Sequence, residues 1–130
     1  MITGIKHTFR NLQFAIVFLV LAFDSHAVDA ITTIVGEAGG EGAQGMQAVA
    51  NVIYNREQAH LPFTFYGSRN PVVQRQPASV FVQAREAWAM RMQDITDGAT
   101  HFENVEAFGT PAWARHMTVT AKIGRHTFYK

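Results

Sequence analysis

Apolar residues at Ile31, Ile34, Val35 and Ala38 recur at i, i+3, i+4 and i+7, which predicts a helix. Asp29 stands ahead of them as a candidate cap, and Gly39-Gly40 stops the pattern. A second stripe, Met46, Val49, Ala50, Ile53 and Tyr54, predicts a helix over about residues 43–58, with Gln47, Asn51 and Asn55 on its other faces. From 59 to 78 the periodicity dissolves. Pro62, Gly67, Pro71 and Pro77 punctuate aromatics Phe63, Phe65 and Tyr66, as in a long surface loop that walls a cleft. Ser79 is the expected cap of a third helix reaching about Met92, with Phe81, Ala84, Trp88 and Met92 on one side.

After Gly98 the period changes. Residues 100–104 alternate weakly as a short strand would, and Pro111-Ala112-Trp113 predicts a turn. Met117, Val119, Ala121 and Ile123 alternate with Thr118, Thr120 and Lys122, the period of a half-buried strand. Gly124-Arg125 then turns the chain so that His126 and Phe128 return as its partner. Helices first and a short antiparallel sheet or hairpin last make an α+β domain.

The N-terminus follows a different rule. Lys6, His7 and Arg10 precede an unbroken apolar run from Phe14 to Phe23, and Ser25-His26-Ala27 supplies small residues beyond it. This is the layout of a secretory signal peptide, and the run is too short to span a bilayer. The expected division is therefore 1–27 as leader and 28–130 as one exported domain, in a periplasm or cell wall, with no membrane span after cleavage and an uncleaved anchor as the other outcome. Lys6, Arg10 and Asp24 fall in the leader, so the remainder balances basic and acidic side chains. That balance gives no electrostatic reason to expect nucleic acid as a partner. There is no cysteine, which excludes thiol catalysis and disulfide support and leaves the apolar core to hold the fold.

The chemistry concentrates in Gly36-Glu37-Ala38-Gly39-Gly40-Glu41-Gly42, where two carboxylates lie four residues apart on bare backbone between two core-forming helices. Glu37, beside Ile34 and Val35 in a last helical turn, is placed for partial desolvation, which raises a carboxyl pKa and suits it to donate a proton. Glu41 sits ahead of the next helix, where a negative charge is also favoured by the helix dipole alone. His101, His116 and His126 lie in the C-terminal half at no metal-binding spacing, and no nucleophilic serine elbow occurs, so neither metal nor cofactor is expected.

Five blocks in order resemble one family, the SleB-type cell wall hydrolases known from spore cortex-lytic enzymes. Residues 34–42 look like its Gly-Glu-Ala-x-Gly-Glu box, and residues 45–56 like the helix that follows, with its Asn-Arg end at Asn55-Arg56. Gly98-Ala99-Thr100-His101-Phe102, Pro111-Ala112-Trp113-Ala114 and Ile123-Gly124-Arg125-His126-Thr127-Phe128-Tyr129 match its later segments. The resemblance implies a lysozyme-like α+β domain that cleaves peptidoglycan glycan strands between N-acetylmuramic acid and N-acetylglucosamine, acting as a monomer. It implies Glu37 as catalytic acid and base, with either water or the sugar's own 6-hydroxyl as acceptor, the latter closing a 1,6-anhydro ring without a protein nucleophile. Glu41, Asn55, Thr100, His101, Trp113 and His126 are then expected to bind or orient the glycan.

The chain departs from the family in two places. Gly39 stands where the box usually carries arginine, and the middle region is short, with Gln76-Pro77-Ala78-Ser79-Val80-Phe81 keeping only part of the usual stretch. A module that binds peptidoglycan with weakened catalysis is the alternative these departures raise.

Overall fold

The computed structural model describes residues 25–130, so most of the expected leader lies outside the described residues. Helix α1 covers 25–38, α2 Gly42–Gln58, α3 Pro71–Gln74 and α4 Ala78–Ala89. Strand β1, His101–Glu103, is followed by the short helix α5, Val105–Phe108, and a 3-10 turn, Ala112–His116. Strands β2, Val119–Ile123, and β3, His126–Tyr129, complete the domain. The sheet order is β1-β3-β2 with both pairings antiparallel, so the C-terminal hairpin gains a third strand on the β3 side. The expected α+β class holds, and no described helix is long and apolar enough to cross a membrane.

Helix α2 is the spine. Every residue from Gly45 to Ile53 is buried, apolar and polar alike. One side packs with Ile34, Val35 and Ala38 of α1, Val73 of α3, and Ala84, Ala87 and Trp88 of α4. The other side, through Ala48 and Val52, meets Ala99, Ile123 and Phe128 of the sheet layer. Burying a ring as large as Phe128 contributes about 2–3 kcal/mol, so this second contact is a substantial part of what fixes the sheet on the helices.

Four local expectations are corrected. Asp29 lies inside α1, which is already helical at residue 25 and continues across the expected leader boundary. Pro77, not Ser79, is the N-cap of α4. That helix ends at Ala89, leaving Met92 outside it and 69% exposed. The reason is polar: Gln47 Nε2 donates to the Met90 carbonyl at 2.8 Å and Asn51 Nδ2 to that of Arg91 at 2.9 Å, so α2 takes the carbonyls the next turn would use. Val119, finally, is 58% exposed instead of inward, because a register shift between Val119 and Ala121 resets the alternation of β2.

Gln47 and Asn51 do lie off the apolar stripe, yet they are buried. With Asn55 they form a ladder on α2 that binds the stretch between α4 and β1. Asn51 also donates to the Gln93 carbonyl at 3.0 Å and accepts from the Ile95 amide at 3.1 Å. Asn55 donates to Asp94 and to the Ala99 carbonyl. Asp94 in turn accepts from Thr96 and the Gly98 amide, closing a loop that has no regular structure of its own.

Candidate active site

Glu37 occupies the last turn of α1, and its surroundings are built by two threonines that weaken the helix by propensity but serve as clamps. Thr32 Oγ1 donates to the Tyr66 carbonyl at 2.9 Å, and Thr33 Oγ1 accepts from the Tyr66 amide at 2.8 Å. The loop is thereby pinned along α1, and Tyr66 lies over Gly36. A Cβ on Gly36 would stand 2.7 Å from the Tyr66 ring, so only glycine permits this approach. Glu37 opens into a cavity of about 410 Å³ bounded by Thr64, Phe65, Tyr66, Gly67 and Asn70.

Burial pushes the Glu37 carboxyl above its ordinary pKa, and the charge of Glu103 pushes it the same way. Burial and then Glu37 likewise raise the Tyr66 phenol. Glu103 ends β1, opposite Thr127 of β3. It lines a second cavity, of about 260 Å³, with Arg56, Phe63, Thr100, His101 and Trp113. The segment from Phe63 to Tyr66 supplies wall to both cavities.

The second cavity is an aromatic and cationic surface. Trp113 lies tilted against His101 at 5.2 Å and edge-on to Tyr129 at 5.3 Å, and remains 41% exposed. Arg56 donates to the carbonyls of Pro62 and Thr100, tying the loop to β1. His101 takes Thr100 Oγ1 on one ring nitrogen at 2.9 Å and faces Arg56 with the other. Burial, then Arg56, lowers its pKa and favours the neutral ring.

His126 is almost fully buried, edge-on to Phe102 at 5.2 Å. Burial lowers its pKa, with Glu41 and Glu103 acting in the opposite sense. Its Nδ1 has no hydrogen-bond partner among the described residues. Glu41 is the N-cap residue of α2 and makes no capping bond; its Oε2 accepts from the Arg125 amide at 3.3 Å. The turn it touches needs glycine twice over, since Gly124 has φ 58° and a Cβ there would overlap the Glu41 carboxylate.

The fold therefore brings Glu37 and His126 within reach of one charge, Glu103, sets Glu41 near His126, and places Thr100, His101 and Trp113 around the neighbouring cavity, which His126 and Glu41 do not line. Asn55 lines neither cavity, and its side-chain amide donates to Asp94 and Ala99. Glu103, Tyr66 and Arg56 were not singled out as site residues from sequence. The signal for Glu103 was its i+2 spacing from His101 on a strand, which puts both on one face. Gly39 leaves no space for a larger residue, because a Cβ there would meet the Val35 carbonyl at 2.5 Å and the Gln76 side chain at 3.1 Å. Gln76, from the shortened middle region, thus fills the place beside the box.

Two solved structures share this fold. One is the catalytic domain of the germination-specific lytic transglycosylase SleB from Bacillus anthracis, 24% identical, with TM-score 0.56 over 78% of this chain and 93% of that one. The other is the catalytic domain of the Bacillus cereus SleB protein, also 24% identical with TM-score 0.56, over 78% of this chain and 89% of that one. No curated protein matches the chain. Residues 58–129, more than half the chain and including the Phe63–Tyr66 wall and the whole sheet, match the model of the cell wall hydrolases, and the chain belongs to that family of enzymes.

Proposed function

We propose that the protein cleaves the glycan strands of peptidoglycan between N-acetylmuramic acid and N-acetylglucosamine, with Glu37 as general acid. The observation that carries this reading is a half-buried carboxyl with a raised pKa in the wall of an open cleft. Cleaving a glycosidic bond requires a proton at the bridging oxygen as the bond to the anomeric carbon breaks. A carboxyl whose pKa is raised by burial is the better placed to supply it, and positioned proton transfer contributes about 10²–10⁴-fold in rate. Trp113 offers a ring face against which a sugar can lie, and Arg56, Thr100 and His101 offer polar groups beside it. The SleB likeness supports the same substrate, and the leader expected at 1–27 fits export to where that substrate is.

Dye-labelled sacculi incubated with the full chain test this. Soluble dye should appear with wild type and fall to background with Glu37→Gln, while both proteins still sediment with sacculi. Binding by both without release would instead support a peptidoglycan-binding module.

A further inference from the structure

Tyr66 sits in a stretch without regular structure, yet three positions of α1 are given over to placing it. Thr32 Oγ1 donates to its carbonyl and Thr33 Oγ1 accepts from its amide, so both of its backbone polar groups are fixed to the helix. Gly36, directly before Glu37, makes room for its ring, since a Cβ there would stand 2.7 Å away. Threonine and glycine are poorer helix formers than the alanine these positions could carry. Covering α1 with an apolar ring would need none of the three. The ring packs against the helical core. The phenol hydroxyl is left over: it has no hydrogen bond among the described residues. Tyr66 and Glu37 line the same cavity, of about 410 Å³. Burial and then the Glu37 charge raise the phenol pKa, so at neutral pH the group there is a hydroxyl and not a phenolate.

We propose that Tyr66 is a second catalytic side chain, whose hydroxyl oxygen accepts a hydrogen bond from the acetamido N–H of the sugar at the bond that Glu37 protonates. This rests on the assignment of Glu37 as acid. Tyr66 keeps its proton throughout, and no covalent bond to it forms or breaks. As the bond to the anomeric carbon lengthens, the sugar ring gains positive charge, and hydrogen bonds given by the substituent beside that carbon strengthen. In an N-acetylated sugar that substituent is the acetamido group. An interaction that strengthens in the transition state raises kcat and does not merely lower KM. It also depends on placement to a fraction of an ångström, which the two threonine hydrogen bonds and the ring contact with Gly36 supply. The role is the same whether water or the sugar's own 6-hydroxyl completes the reaction, so Tyr66 does not alter the chemical end of the product.

Initial rates on soluble glycan fragments of peptidoglycan, for full-length wild type, Tyr66→Phe and Glu37→Gln, give the test. Phenylalanine keeps the ring on Gly36 and the backbone bonds to α1, so the melting temperature should stay at the wild-type value. The expected result is a kcat lower by about tenfold in Tyr66→Phe with KM nearly unchanged, the loss of one hydrogen bond made in the transition state. A Tyr66 needed only for the fold would show no such split. Wild-type kcat in Tyr66→Phe, or a raised KM at wild-type kcat, overturns the role of Tyr66 and, with Glu37→Gln inactive, leaves Glu37 standing. Absence of any Glu37-dependent cleavage overturns both assignments. Should Tyr66→Phe fail to fold, as judged by circular dichroism, Thr33→Val decides. It keeps the hydroxyl but cuts the hydrogen bond to the Tyr66 amide, so kcat should fall with KM nearly unchanged, and wild-type kcat would overturn the role.

Discussion

Two groups of polar side chains are taken out of water on opposite sides of α2, and they are treated differently. The ladder of Gln47, Asn51 and Asn55 is closed: each amide is bonded to carbonyls, an amide or Asp94 in the stretch between α4 and β1. On the cleft side the polar groups are left open. Glu37 bears a raised pKa without a hydrogen-bonded partner among the described residues, and His126 Nδ1, on the sheet behind the second cavity, is unpaired. A buried polar group without a partner costs roughly 1–3 kcal/mol, so a fold that can close one side this fully has reason to leave the other side free. Closed groups here hold a loop; the open ones are left without partners in the protein.

The contrast can be broken by substitution. The largest effect falls on the open side, where Glu37→Gln should lower the rate of peptidoglycan cleavage by about 10²–10⁴-fold with the fold intact, as read from initial rates and circular dichroism. On the closed side the change should be in stability. Asn51→Ala deletes two donations and one acceptance, and urea unfolding should show a loss of about 2–3 kcal/mol. Equal rates per folded molecule would then mark Asn51 as purely structural.

Gly36→Ala sharpens the boundary between the two. Its Cβ would press on the Tyr66 ring, costing about 1–3 kcal/mol and displacing the cleft wall, so a raised KM should accompany the lower melting temperature. The smallest effect is a pH-dependent one. Because the folded pKa of Glu37 is raised, its contribution to stability is greatest when it is protonated and declines as pH rises through that pKa. Glu37→Gln should therefore melt above wild type at neutral pH and converge with it in acid; a Gln variant less stable at neutral pH would contradict the burial of an open carboxyl.

Much of this contrast could be seen in the chain itself. The stripes around Ile34 and Val49 located α1 and α2, and the alternation near Phe128 located the hairpin, because local periodicity reports which face is buried. Glu37 stood out through its glycine neighbours and its likeness to a known box. What periodicity could not give was anything made by contacts across the chain. The ladder could be placed only off the apolar stripe, because Gln47 and Asn51 find their partners forty or more residues away. Met92 looked like core because the carbonyl capture that ends α4 comes from another helix. Val119 looked inward because a bulge leaves no mark in an alternating sequence. Glu103 was overlooked for the same reason: its neighbours Glu37 and His126 belong to two other elements.

A proton donor at Glu37 requires its carboxyl to be held in an open, partly buried site within reach of the Glu103 charge. Carbon-13 NMR titration of the Glu37 side-chain carboxyl in the folded full chain, assigned by the signal lost in Glu37→Gln, tests it most directly. The expected result is a midpoint above the ordinary glutamate range that moves down when Glu103 is replaced by glutamine. A midpoint at or below that range would contradict it.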